Sequence, residues 1–206
     1  MKHIDIQVTF KGFMKPSAPT PHYLRHYQLS YLDEIAPSTY IPMVLFYHSN
    51  LPRLQICNRI MNSLSESLTH YYPLAGRVKS KLCVDCNDQR ALYVEAHARC
   101  KLSDILEKLN PNDAVNKFLP PFENHDDGCF DALALIVQLT FFDCGGMSIG
   151  VQINHEVSDA ASFIQFLNTW SAIARGETHF NTPLLDCQAL PSKTSVYFTN
   201  KPSHAA

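Results

Sequence analysis

The sequence predicts an α/β chain in which strands alternate with helices that pack on them, and three stretches carry that expectation. Met147, Ile149, Val151 and Ile153 alternate with Ser148, Gly150, Gln152 and Asn154, the period of two of a strand with one buried face. From Ala160 the period changes: Ala160, Phe163, Ile164, Leu167, Ser171 and Ala174 fall on one stripe at helical spacing, with Asp159 or Ser158 to cap the start and Gly176 to end it. Cys57, Ile60, Met61, Leu64 and Leu68 recur at spacings of three and four, so Arg53 to His70 reads as an amphipathic helix packed on a sheet.

The remaining elements come in chain order. Ile4, Ile6, Val8 and Phe10 alternate with Asp5, Gln7 and Thr9 as a half-buried first strand. Pro16, Pro19 and Pro21 forbid a helix between Lys11 and His22 and favour an extended path. Tyr40 to Tyr47 is continuously apolar, as expected of a central strand covered on both faces. Pro73 ends the long helix, and Gly76 permits a turn from which Arg77 and Val78 leave as a new strand. Leu82 to Cys86 and Ala91 to Ala96 flank Asn87-Asp88-Gln89-Arg90, a hairpin signature. Ser103 to Leu109 reads as a short capped helix and Pro111 to Gly128 as loop. Asp131 to Phe142 is a further apolar strand that turns at Asp143-Cys-Gly-Gly146.

Bulk properties narrow the function classes. A chain of 206 residues with 46% hydrophobic residues suits one domain with a full core. Its 17 basic and 19 acidic residues form neither a basic stripe nor an acidic tail, which argues against nucleic acid or an anionic membrane as partner. Met1 to Asp5 lead directly into a strand without the apolar core of a signal peptide, and no apolar run reaches membrane-spanning length, so a cytoplasmic location is expected. Seven scattered cysteines fit buried thiols better than a disulfide framework.

The candidate chemistry centres on His155-Glu-Val-Ser-Asp159. His155 continues the buried series of its strand and stands just before a helix, a rigid mounting for a general base. The same residues also read as a core histidine bonded to a carbonyl, with Asp159 a plain helix cap, and the local pattern leaves both readings open. Cys83, Cys86, His97 and Cys100 resemble a small zinc site, but cysteines three apart on a strand point to opposite faces, so no metal is expected. Ser148 lies mid-strand near a G-x-S-x-G pattern without matching it, and Gly145-Gly146 leads to a strand and not to a phosphate-binding helix.

Six stretches taken together carry more than any one of them. Pro16-Ser-Ala-Pro-Thr-Pro21, Tyr71-Tyr-Pro-Leu-Ala-Gly-Arg77, Val84-Asp-Cys-Asn-Asp88, Phe141-Phe-Asp-Cys-Gly-Gly146, Asn154-His-Glu-Val-Ser-Asp159 and Phe166-Leu-Asn-Thr-Trp-Ser-Ala172 stand in the order of similar stretches in one family. The chain resembles the BAHD plant acyltransferases, most closely their alkaloid, vinorine synthase-like branch. The resemblance implies a fold similar to chloramphenicol acetyltransferase, a mixed sheet with flanking helices, forming one half of a two-domain acyltransferase. Residues 1–176 would be the N-terminal acyltransferase domain and 177–206 a linker towards a C-terminal domain.

The resemblance further implies acyl transfer from acyl-CoA, with acetyl-CoA the expected donor, to the hydroxyl or amine of a small secondary metabolite such as an alkaloid. His155 would be the general base, and Asp159 would support the catalytic loop by pairing with an arginine. Two departures stand out: Ala160 replaces a glycine common in the family, and neither its Asp-Phe-Gly-Trp-Gly motif nor its C-terminal half occurs in the sequence. Most residues that bind CoA would lie in that half. A solitary half would act through self-association or association with a C-terminal half, or would be a catalytically inactive partner of full-length relatives.

Overall fold

Pairing between distant segments, more than local pattern, decides how these elements assemble. The computed structural model describes residues 4–80, 82–89, 91–107, 116–120 and 132–185. The larger sheet contains β1 (Ile6–Met14), β3 (Tyr40–Tyr47), β6 (Ala91–Ala98), β8 (Leu135–Phe142) and β9 (Met147–Asn154), in the order β1-β6-β8-β9-β3. Only β6 and β8 pair in parallel, so the sheet is mixed. A smaller sheet has the order β2 (His26–Gln28), β5 (Cys83–Asp85), β4 (Arg77–Ser80) and β7 (Ala132–Leu133). The helices are α1 (Tyr31–Ile35), α2 (Arg53–His70), α3 (Leu102–Leu106) and α4 (Ala160–Ala174). The mixed α/β architecture is the one expected.

Helices α2 and α4 lie side by side on one face of the larger sheet. Ile56, Ile60, Leu64 and Leu68 of α2 meet Phe163, Phe166 and Trp170 of α4 above Val137, Leu139, Val151 and Ile153. Polar groups in this layer are paired: the Trp170 indole N–H donates to Ser63 Oγ at 3.0 Å, and the Tyr71 and Thr169 hydroxyls lie 3.0 Å apart. On the opposite face Phe142 of β8 packs with Leu102, Ile105 and Phe118. Strand β9 is therefore buried on both faces, Ser148 and Asn154 included, where alternation suggested one. Small residues on its rear face make this possible, since a Cβ on Gly150 would stand 2.1 Å from the Phe118 carbonyl oxygen.

Several expectations need correction. Tyr40 to Tyr47 is not central: β3 is an edge strand, half-buried along most of its length. Pro42, which has no N–H to donate, is tolerated at such an edge. Leu82 to Cys86 and Ala91 to Ala96 do not form a hairpin. β5 joins the smaller sheet and β6 the larger, and the chain crosses at Asp88, whose φ is 59° and whose carboxylate accepts from the Thr20 N–H at 2.8 Å and hydroxyl at 2.5 Å. Asp131 to Phe142 is broken at Ala134, so that β7 and β8 serve different sheets.

The first strand, at the other edge of the larger sheet, keeps Val8 and Phe10 nearly half exposed, and a register shift against β6 between these residues turns them to opposite faces. The buried stripe of α4 runs through Phe163, Phe166, Thr169, Trp170 and Ile173; Ala160 and Ile164 face outward. The helix predicted at Ser103 begins one residue earlier, and Leu109 lies outside the described residues, as does most of the loop from Pro111 to Gly128.

Two stability measurements test these contacts. Gly150→Ala forces its Cβ against main-chain atoms and is expected to lower unfolding free energy in urea by about 2–3 kcal/mol. Asp159 caps α4 by accepting the Ser162 N–H at 2.7 Å, so Asp159→Ala is expected to cost about 1 kcal/mol. Hydrogen bonds from the Ser162 N–H and hydroxyl hold the Asp159 carboxyl below its ordinary value. The charged cap is therefore fully stabilising above pH about 4 and is lost as the pH falls through the lowered value. Unfolding of Asp159→Asn followed from pH 7 to pH 3 should lack that part of the loss.

Candidate active site

His155 is positioned by main-chain bonds on both sides. Its N–H donates to the Thr39 carbonyl at 2.9 Å, which carries the β3–β9 pairing one step past the last pair, Tyr40 with Asn154. Immediately after it the chain turns back. The Asn154 carbonyl accepts from the Val157 N–H at 3.0 Å and the Ser158 N–H at 3.1 Å, while Asn154 Oδ1 accepts from the Glu156 N–H at 2.8 Å. Glu156 is buried and accepts from the Ser38 hydroxyl at 2.5 Å, so Ser38 and Thr39 clamp the two residues following β9. Tyr40 adds support from below. Its hydroxyl donates to the Leu133 carbonyl at 2.6 Å, and burial, opposed by a hydrogen bond with Asn154, pushes that phenol up to about 12.

The imidazole is half-buried. Nδ1 is shut off from solvent without a hydrogen-bond partner among the described residues, and the side chain lines a cleft of about 340 Å3. Its other walls come from separate segments: Tyr27 and Asp33 near the start of the chain, Tyr71 at the end of α2, Ser162 and Phe166 of α4, and Leu185. The predicted linker begins as part of this wall, since residues 177–185 run back along the helices. Phe180 stacks edge-on against His70 at 5.2 Å, and the Asn181 carbonyl accepts from the Thr169 hydroxyl at 3.0 Å. Residues beyond 185 lie outside the described residues.

His155 and Asp159 are brought to the same cleft, but the aspartate faces its own helix. Its carboxylate is held first by Ser162, and His155 contributes only a lesser electrostatic share. This is the capping role that the residue pattern alone allowed. Ser148 is fully buried within β9. Of the suspected zinc ligands, Cys83 belongs to the smaller sheet and Cys86 to the core beside it, whereas His97 lies on β6 and pairs with Asp143 at 3.1 Å. Among the described residues no three His, Cys, Asp or Glu side chains converge on a metal position. No described helix is long and apolar enough to cross a membrane.

Pattern reading missed Ser38, Thr39 and Glu156 as supports, and Tyr27 and Tyr71 as walls. The first three act through non-local or main-chain bonds that leave no periodic trace. Asn154 did carry a signal, standing next to His155 in one of the six ordered stretches, but its alternation marked it only as a strand residue.

Known proteins share this fold. A model of the Transferase family matches residues 4–205. Vinorine synthase of Rauvolfia serpentina is 38% identical over 185 residues, covering 84% of this chain and 43% of that protein. Stemmadenine O-acetyltransferase of Catharanthus roseus is 37% identical over 189 residues, covering 88% and 45%. A crystal structure of vinorine synthase superposes with a TM-score of 0.83 at 35% identity, over 91% of this chain and 48% of that one. The TRI101 structure from F. sporotrichioides, complexed with coenzyme A and T-2, shares the fold, with a TM-score of 0.60 at 18% identity over 75% of this chain and 42% of that one. The chain thus spans less than half the length of these relatives, and on the family match over nearly all its residues it belongs to the Transferase family of BAHD acyltransferases.

Proposed function

We propose that this chain carries the general base and part of the acceptor cleft of an acyl-CoA-dependent acyltransferase. The observation that supports this reading most is the placement of His155, fixed by its own main chain at the wall of a cleft within a family of acyltransferases. With Nδ1 inaccessible, Nε2 is the nitrogen assigned to the acceptor. It takes the proton as the hydroxyl oxygen or amine nitrogen of a small plant metabolite attacks the thioester carbonyl. The tetrahedral intermediate then collapses, the C–S bond breaks, and the proton passes to the departing CoA thiolate. Acetyl-CoA is the proposed donor and an alkaloid-like alcohol or amine the acceptor, in keeping with the relatives' names.

Asp159 is proposed as a structural support that sets the start of α4, with no part in proton relay. The CoA site and the second cleft wall are assigned to a C-terminal domain, supplied by further chain or by a separate half, or to a second copy of this chain standing in its place. Residues 1–176 are taken as the N-terminal domain, and a cytoplasmic location is proposed with it.

The test is CoA release by the 206-residue chain with acetyl-CoA and a panel of small alcohols and amines. Where a second copy completes the cleft, acceptor-dependent release is expected, and His155→Ala is expected to lower it about 100-fold or more. An undiminished rate in His155→Ala would overturn the assignment of the base. No release, together with co-purification on a full-length relative, would instead favour the inactive interaction partner.

Glu156→Gln keeps the shape of its side chain while removing the charge that the Ser38 hydroxyl meets. It is expected to slow turnover by about tenfold with KM little changed, because the pair aims His155 without touching the acceptor.

A further inference from the structure

Cys100 and Cys144 stand on two segments that meet at the end of the larger sheet far from His155. The two segments that carry them are tied twice: the Asp143 N–H donates to the Cys100 carbonyl at 3.1 Å, and the Leu102 N–H donates to the Cys144 sulfur at 3.3 Å. Main-chain segments bonded in this way lie about 5 Å apart, and Cys144 directly follows the Asp143 that is bonded to Cys100. Cys144 is exposed and Cys100 half-buried, whereas Cys57 and Cys86 are buried. The turn is a tight one, with Gly145 at φ 82°.

The surroundings give the two thiols unequal roles. The Leu102 N–H, then the Gly146 N–H, hold the Cys144 thiol below its ordinary value, and Lys101 adds a small contribution. Burial, followed by Asp104, Asp143 and Cys144 itself, pushes the Cys100 thiol up. The charge of Cys144 is thus felt at Cys100. His97 lies beside the pair, bonded to Asp143 at 3.1 Å.

We propose that Cys144 and Cys100 form a peroxide-responsive modification site, with Cys144 the attacking thiol and Cys100 the resolving one. The Cys144 thiolate attacks a hydroperoxide: an S–O bond forms, the O–O bond breaks, and the leaving hydroxide or alkoxide takes a proton. The Cys100 sulfur then attacks the sulfenic sulfur, giving up its proton as the S–O bond breaks and water departs. Two thiols are oxidised to one disulfide by two electrons, which reduce the peroxide to water and water or an alcohol. The cross-link joins the end of β6 to the β8–β9 turn, about 25 Å along β9 from His155.

The test treats the 206-residue chain with hydrogen peroxide and maps its peptides by mass spectrometry, after cleavage that separates Cys129 from Cys144. A Cys100–Cys144 disulfide is expected. In Cys100→Ser, Cys144 should instead be trapped by dimedone as a sulfenic acid, and Cys144→Ser should give neither product. Without any substitution, iodoacetamide should label Cys144 about tenfold faster than half-buried Cys83. Labelling no faster than Cys83, oxidation of Cys144 past sulfenic acid without a disulfide, or its pairing with another cysteine would overturn the proposal.

Discussion

One main-chain hydrogen bond, from the His155 N–H to the Thr39 carbonyl, sets the geometry on which the candidate site depends. It extends the antiparallel register of β3 and β9 beyond the last strand pair, so the direction in which His155 projects is dictated by the pairing of eight successive residues. A slip of one residue would turn the whole strand over and send the imidazole to the opposite face. Such a slip is costly because both faces of β9 are covered, with Val151 and Ile153 under the helices and Gly150 against the Phe118 carbonyl. The histidine inherits its precision from the sheet.

The turn between β9 and α4 converts that direction into a fixed site. Asn154 stops the strand by turning its own carbonyl to Val157 and Ser158, and its side chain meets the Glu156 N–H. Five residues after Asn154, Asp159 starts α4 by capping it. The turn is thus closed at both ends by hydrogen bonds whose partners lie within the same short segment, while Ser38 and Thr39 hold it to β3 from outside. A loop held in this way loses little entropy when a ligand enters, which is the condition for a preorganised catalytic group.

Local pattern exposed the elements and missed their neighbours. Helix α2 was legible to the residue, because three-and-four spacing from Cys57 to Leu68 reports one buried face regardless of what covers it. The position of β3 was not, since an apolar run says that a strand is covered but not by which strands; Pro42 was the one sign of an edge. The apparent hairpin around Asn87 failed for a related reason: turn chemistry at Asp88 is real, but it reverses the chain between two sheets. β2 and α1, with three and five residues, are too short to show a period and depend on β5 and on a Ser30–Asp33 capping box. His155 was legible as a candidate from its position at a change of period, and the ordered motifs raised it above chance. Its supports were hidden in main-chain bonds.

The separation of these supports from the cleft walls has a functional consequence. His155 lines the cleft, but it is aimed by Ser38, Thr39, Asn154 and Glu156, which stay outside the cleft lining. The walls come instead from Tyr27, Asp33, Tyr71 and the stretch ending at Leu185, which contribute nothing to the histidine's main-chain bonds. Substitutions in the walls can therefore reshape the cleft without disturbing the bonds that hold His155. The Asp159 carboxylate is occupied with Ser162, and His155 is held through its own main chain. The position of His155 thus rests on a rigid strand end, and the shape of the cleft rests on segments that fold around it.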